Sequence, residues 1–283
     1  DPEIRNAPLI PRGSSNAGVT AFSLLCLAPE RVLCITPNVG PHYGHAEVPD
    51  AALLVPAWMH VGPEDPFFEN GMEATRELFD RFRPEGARWT WDAEQGKGHE
   101  IRHIDDVDMM FYEVCLDLRL PDGYDPLAGR PDLNVIPREA GWLVDLDSWR
   151  EPLVYIAPWD EYERDKDRAG WLPTRDLAYL YRAIATYDKP MDIVIEGPEP
   201  VRNPYSSGVY LRSVGGPVAK PGEEVTVRCE FLREDLSYDR IVFYNGAQEI
   251  GATAAGQEAV VKLTVDGDRS VYALSALALK DGE

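Results

Sequence analysis

The feature that most constrains the fold is the alternation of apolar runs and amphipathic segments along the first 120 residues. Apolar runs occur at 9–10, 32–35 and 52–61, and continuous runs of this kind are typical of parallel strands that are buried on both faces. Segments such as 19–26 and 107–118 repeat apolar residues at helical spacing. Because parallel strands need crossover connections, this alternation predicts an α/β fold with helices around a doubly wound parallel sheet.

The pattern changes in the last part of the chain. Over 204–283, short alternating runs are separated by turns. The pair Asn245 and Gly246 lies between two such runs, and Asn-Gly in this position is a strong signal for a β-hairpin. We therefore predict a separate all-β domain, a sandwich, over these residues.

The stretch between the two patterns, 123–203, is rich in Pro, Trp and Asp. One helix is predicted within it, because Thr174 is a good N-cap residue ahead of a segment with helical periodicity. The predicted organisation is therefore an α/β domain at 1–122, a connecting region with one helix, and the C-terminal β domain.

Composition excludes several classes of partner. The formal net charge is −21, whereas nucleic acids and anionic membrane surfaces are bound by clustered Lys and Arg, so we expect neither as a partner. The chain has no apolar run of 18 residues, and we expect no membrane-spanning segment.

The four cysteines, Cys26, Cys34, Cys115 and Cys229, are widely spaced and lie in apolar surroundings. None forms a C-x-x-C motif, which argues against a zinc ribbon or a thioredoxin-like redox site. We expect buried free thiols, with a disulfide between Cys26 and Cys34 as the alternative.

The stretch GSSNA has the form of a nucleophile elbow, G-x-S-x-small, between a predicted strand and a predicted helix. The sharp turn requires small residues two positions before and after the serine, and Gly13 and Ala17 meet this requirement around Ser15. The backbone N–H of Asn16 would then point from the helix N-terminus towards an oxyanion. An ordinary Gly-Ser turn is the other interpretation of the same residues.

Two later residues follow strands in the places where a serine hydrolase keeps its acid and its base. Asp65 comes directly after the run 52–61, and His99 lies on a Gly-containing loop after the next predicted strand. The order Ser15, Asp65, His99 is that of the α/β-hydrolase triad, and the carboxyl ends of parallel strands meet at one edge of a sheet. We therefore predict Ser15 as nucleophile, His99 as general base and Asp65 as the residue that orients His99.

His99, Glu100 and His103 also spell H-E-x-x-H, the zinc metalloprotease motif. That motif requires both histidines on one face of a helix. Gly96 and Gly98 disfavour a helix here, and Asp105 and Asp106 are better N-cap residues, so the next helix is predicted to begin after His103. The triad is the preferred interpretation and zinc the alternative. The remaining histidines could line the site or be loop residues, and the second interpretation is preferred for each: His42, His45, His60 and His103.

The segments GSSNAG, PAWMHVGPEDPFF and GARWTWDAEQGKGHE resemble the C-terminal half of an α/β-hydrolase. The resemblance covers residues 1–120 and is to polyhydroxybutyrate-depolymerase-like and feruloyl-esterase-like secreted esterases. It implies hydrolysis of small or polymeric esters through an acyl-serine, without metal or organic cofactor, in a secreted or periplasmic protein.

The segments VFYNGAQEIG and VYALSALALKDG resemble bacterial Ig-like modules. Both resemblances are partial, because the hydrolase strands before the elbow, the second oxyanion donor and the last Ig-like strand have no counterpart. We therefore expect a segment of a longer protein whose missing N-terminal half completes the hydrolase. A non-catalytic adhesion or scaffold protein with a hydrolase remnant is a third hypothesis.

Overall fold

The computed structural model describes residues 1–40, 47–66, 68–93, 98–99, 104–148, 151–186, 190–197, 219–267 and 272–281. The chain divides into two compact units. One consists of 1–104 with 108–187, and the other of 188–283, with which 105–107 are grouped. Among the described residues, helices are mixed with one parallel four-stranded sheet and three antiparallel three-stranded sheets. Among the described helices, none combines the length and the apolar character needed to cross a membrane.

In the first unit, strands alternate with helices. The elements are α1 Pro2–Asn6, β1 Arg12–Ser14, α2 Asn16–Leu27, β2 Thr36–Asn38, α3 Asp50–Leu53, β3 Ala57–Val61, α4 Phe68–Phe82, β4 Trp89–Ala93 and α5 Ile104–Arg119. The strand order β1-β2-β3-β4 follows the chain, and every neighbouring pair is parallel. The predicted parallel sheet is confirmed, and the carboxyl ends of its strands share one edge.

Large aromatic side chains cover both faces of this sheet. Trp58 of β3 packs edge-on against Phe111 of α5, with ring centroids 5.8 Å apart. Trp89 of β4 pairs with Ala57 in the register, so it points to the opposite face, where it contacts Phe22 of α2 at 5.7 Å. Both tryptophans are fully buried, and truncating either to Ala is expected to cost about 3–5 kcal/mol.

The region at 123–187 contains more structure than the predicted single helix. It forms a three-stranded antiparallel sheet in the order β6-β5-β7, and then a helix; the bounds are β5 Trp142–Val144, β6 Ile156–Pro158, β7 Gly170–Leu172 and α6 Arg175–Ala185. Thr174 is the N-cap of α6 as predicted, since its hydroxyl accepts a hydrogen bond from the N–H of Leu177. The sheet was missed because strands of three residues are too short to show an alternating pattern.

Buried arginines anchor this region to the parallel sheet. The guanidinium of Arg83, which has no exposed surface, donates to the carbonyl oxygens of Ala169, Lys166 and Ala87 at 2.7, 2.9 and 3.0 Å. A Cβ at Gly170 would lie 2.2 Å from Oγ1 of Thr90, so β7 lies directly against β4. Residues up to 187 therefore belong to the first unit rather than to a linker.

The second unit consists of two antiparallel sheets, ordered β12-β9-β8 and β11-β10-β13. Their strands are β8 Met191–Glu196, β9 Glu224–Phe231, β10 Arg240–Asn245, β11 Gln248–Ala254, β12 Val260–Thr264 and β13 Leu274–Leu279. Buried residues of both sheets, including Val227 and Phe243, form one hydrophobic core. The predicted hairpin is present, and Gly246 has the positive φ of 58° that such a turn needs. The unit begins at 188 rather than near 204, because all of β8 pairs with β9.

All four cysteines are free thiols. Cys34, Cys115 and Cys229 are buried as predicted, whereas Cys26 is partly exposed. Cys34 is close to Cys115, Arg119 and Asp108 of α5, whereas Cys26 belongs to α2 on the opposite face of the sheet. The alternative of a Cys26–Cys34 disulfide is therefore wrong.

Candidate active site

Ser15 stands in a strained turn between β1, which ends at Ser14, and α2, which begins at Asn16. Its backbone angles are φ 57° and ψ −128°, a conformation that costs a non-glycine residue on the order of 1–3 kcal/mol. The Ser15 N–H donates to the carbonyl oxygen of Asn38 at 2.9 Å, which fixes the turn to β2. This is the sharp strand-to-helix turn that the nucleophile elbow requires.

Two glycines allow the chain to turn so tightly. A Cβ at Gly13 would lie 2.2 Å from the carbonyl oxygen of Ala17, so a side chain does not fit there. A Cβ at Gly18 would lie 2.9 Å from the carbonyl oxygen of Asn38. The small residue at Gly13 is required as the sequence analysis stated. Gly18 must be small for the same reason. This requirement was not predicted from the sequence, although Gly18 directly follows Ala17, which was predicted to be small.

The start of α2 presents groups that a substrate can use. The Ser15 side chain makes no capping hydrogen bond to the first turn of this helix, all of whose residues are described. Asn16 is the first helical residue and is exposed, and the first N–H groups of a helix have no partner within it. Its N–H can therefore donate to a negatively charged oxygen, helped by the helix dipole.

The predicted acid and base are in contact. Nδ1 of His99 lies 2.6 Å from Oδ2 of Asp65. Asp65 is nearly buried in a turn, where its N–H donates to the carbonyl oxygen of Gly62 at 3.0 Å, whereas the His99 side chain is 40% exposed. With its Nδ1 proton donated to the carboxylate, neutral His99 carries its lone pair on Nε2, as a general base requires.

The three residues belong to one edge of the parallel sheet. Ser15 follows β1 directly, Asp65 lies shortly after the end of β3, and His99 lies after β4. A Cβ at Gly98 would be 3.6 Å from the carbonyl oxygen of Glu64, so the chain before His99 lies against the Asp65 loop. The structure thus pairs Asp65 with His99 and places Ser15 on the same edge.

The zinc alternative receives little support from the described residues. Glu100 and His103 lie outside them, and His99 is in a bend rather than a helix. The helix α5 begins at Ile104, so the prediction that it starts after His103 agrees with its bounds, whereas the N-cap assignment to Asp105 or Asp106 is wrong. No group of three or more His, Cys, Asp or Glu side chains suited to a metal ion occurs in the described part of the chain.

A buried ionic network contains His60, which was expected to line the site or, preferably, to be a loop residue; the loop expectation is wrong. His60 lies in β3 and is only 2% exposed; its Nδ1 is 2.8 Å from Oδ2 of Asp92, and its Nε2 is 3.3 Å from Oδ1 of Asp108. Asp108 also accepts a hydrogen bond from Nε of Arg12 at 2.7 Å. Trp58 donates its Nε1 proton to Oδ2 of Asp92 at 2.5 Å.

The network links the strands that precede the three candidate residues: Arg12 is on β1 before Ser15, His60 on β3 before Asp65, and Asp92 on β4 before His99. Burial lowers the pKa of His60, but the charges and hydrogen bonds of Asp92 and Asp108 outweigh it and raise the pKa to about 10. The imidazole is therefore cationic at neutral pH. Polar residues inside apolar runs were the available signal, because buried charges are found in pairs.

Comparisons with family models, with curated proteins and with solved structures return no match to this chain.

Proposed function

We propose that the protein is a serine hydrolase that cleaves carboxylic esters through an acyl-serine intermediate. The observation that supports this best is the 2.6 Å contact between His99 and Asp65 at the sheet edge where Ser15 has its strained conformation. A solvent-exposed imidazole held by a nearly buried carboxylate is the arrangement that activates a hydroxyl nucleophile.

Four groups of the candidate site take part in the proposed reaction. Nε2 of His99 removes the hydroxyl proton of Ser15 as Oγ attacks the ester carbonyl carbon, and Asp65 stabilises the imidazolium that forms. The N–H of Asn16 donates to the carbonyl oxygen as it becomes negative. His99 then protonates the departing alcohol. Water, deprotonated by the same imidazole, attacks the acyl-serine and releases the carboxylic acid and free Ser15.

The finer fold class is part of this proposal. The chain-ordered parallel sheet, with the elbow before its second strand, supports a partial α/β-hydrolase sheet in the first unit. The two antiparallel sheets with a shared core support an Ig-like sandwich in the second. We propose a secreted or periplasmic enzyme acting on small or polymeric esters, with the second unit as a spacer or surface-binding module.

Labelling with a fluorophosphonate probe tests the proposal, because the probe phosphonylates only an activated serine. Wild-type protein is expected to be labelled and to hydrolyse p-nitrophenyl acetate, and Ser15→Ala is expected to lose both. Ser14→Ala is the matched control, since Ser14 is an exposed neighbour that should leave labelling intact. Labelling that persists in Ser15→Ala contradicts the proposal, as does hydrolysis that survives Ser15→Ala but is abolished by a chelator.

A further inference from the structure

Helix α5 runs alongside the chain segment that leads into β2. Near the end of the helix, Nη1 of Arg119 donates to the carbonyl oxygen of Val32 at 2.9 Å. Nearer its start, Oδ2 of Asp108 accepts a hydrogen bond from Oγ1 of Thr36 at 3.2 Å. The helix and the strand are therefore antiparallel, and the positions between these two contacts must face each other.

Cys34 and Cys115 occupy those facing positions. Cys34 lies two residues before Thr36, in the segment that leads into β2, and Cys115 lies one turn before Arg119 on the helix. The Cys115 thiol is near enough to raise the pKa of Cys34 by a side-chain hydrogen bond and by its charge, and neither residue has exposed surface. Cys26 lies on the other face of the sheet, and Cys229 belongs to the second unit.

We propose that Cys34 and Cys115 are a cross-linking site that forms a disulfide when the chain folds in an oxidising compartment. A glutathione disulfide is a sufficient oxidant: one cysteine thiolate displaces a glutathione thiol, and the other then displaces the second by attacking the mixed disulfide. Two cysteine thiols are oxidised, one glutathione disulfide is reduced to two thiols, and no other reactant is needed.

The timing of the reaction follows from burial. Burial raises the pKa of Cys34 well above its usual range, and the thiolate is the reactive species, so the folded core opposes oxidation. The bond is therefore made before α5 packs against the sheet, or during transient opening of this helix. Once made, it is protected from reductants by the same burial.

The cross-link would constrain the part of the chain that holds the candidate acid and base. Cys34 and Cys115 lie 81 positions apart, and the loop that they close contains Asp65 and His99. A loop of this length gives a large loss of entropy in the unfolded chain, which corresponds to a rise of roughly 10 °C in Tm. This inference does not depend on the proposed esterase activity.

Peptide mapping of the wild-type chain tests the site. The protein is refolded in a glutathione redox buffer, denatured without reductant and alkylated with iodoacetamide. We expect alkylation at Cys26 and Cys229 only, and a disulfide-linked peptide pair that contains Cys34 and Cys115. Alkylation of all four cysteines, or a link from Cys34 to Cys26, would overturn the proposal.

Thermal unfolding provides a second readout. The oxidised wild type should unfold roughly 10 °C above the reduced protein, and Cys34→Ala and Cys115→Ala should each abolish this difference. Cys26→Ala and Cys229→Ala are the matched controls and should retain it. If a core variant does not fold, the peptide map of the wild type still decides the question.

Discussion

Nδ1 of His99 lies 2.6 Å from Oδ2 of Asp65, although the two residues are 34 positions apart in the sequence. Each lies on a loop after its own strand, and the strands, β3 and β4, are neighbours in the parallel sheet. The contact sets which nitrogen of His99 carries the proton, and the near burial of Asp65 keeps water from competing for that proton.

Asp65→Asn should therefore leave the fold intact and remove most of the activity. An amide can accept from His99 but cannot stabilise the imidazolium, so we expect kcat for p-nitrophenyl acetate to fall by about 10³–10⁴ with KM little changed. Glu64→Gln is the control, because Glu64 is an exposed neighbour that loses the same charge. A fall of less than tenfold would show that Asp65 does not support the reaction.

The raised pKa of His60 predicts that the folded protein loses stability at alkaline pH. Its pKa is raised to about 10 in the folded protein and is near 6.5 when unfolded, so the folded state holds one more proton between these values. The contribution of His60 is fully present below pH 6.5 and is lost as pH rises through 10. The free energy of unfolding should fall over this window with a slope of about 1.4 kcal/mol per pH unit.

Urea unfolding of the wild type and His60→Gln at several pH values isolates this effect from the titration of lysines and tyrosines. The variant removes the buried cation opposite Asp92 and Asp108 and should be about 3–5 kcal/mol less stable at neutral pH. The gap between the two proteins should narrow towards pH 10. A constant gap would mean that His60 is neutral in the folded protein.

The parts of the structure that the sequence predicted are those that depend on local pattern. The apolar run 52–61 predicted a buried strand, and β3 is its second half, whereas its first residues belong to α3. The run 32–35 was also predicted to be a strand, but β2 begins only after it, at Thr36. Thr174 indicates a helix start by its own hydroxyl. The convergence of Asp65 and His99 needed one more step, the rule that parallel strands end at a common edge. This rule requires only the order of the strands along the chain and their common direction.

The parts that were missed depend on contacts between distant residues. The strand β5 takes its form from pairing with β6 and β7, and its three residues carry no periodicity that could show this. His60 stood out only as a polar residue in an apolar run, and Asp108, its partner, belongs to a helix that comes three elements later. Such pairings join residues that are far apart in the chain, so no local sequence pattern indicates them.

Gly13→Ala tests the geometry of the elbow. The added Cβ would lie 2.2 Å from the carbonyl oxygen of Ala17, a backbone atom that cannot move without displacing α2 and Ser15. We expect loss of fluorophosphonate labelling together with a lower Tm. Gly98→Ala is the control for an added methyl group, because its Cβ would meet Glu64 at an ordinary contact distance of 3.6 Å. Gly13→Ala with full labelling would mean that the turn at Ser15 can relax.

Arg83 should be a major determinant of stability in the first unit. Burial lowers the pKa of Arg83 to about 10, and its guanidinium still donates to three carbonyl oxygens that have been withdrawn from water. Arg83→Met keeps the length of the side chain but leaves those oxygens without their donor. We expect a loss of about 3–5 kcal/mol in the free energy of unfolding.

Arg81→Met is the matched control for Arg83→Met, because Arg81 lies two residues earlier, in the last turn of α4, and is exposed. Its guanidinium is 4.7 Å from the ring centroid of Phe82, a contact worth about 0.5–1 kcal/mol at an exposed site. Urea unfolding should therefore separate the two variants clearly. Equal losses would show that the hydrogen bonds of Arg83 do not hold 166–169 against the end of α4.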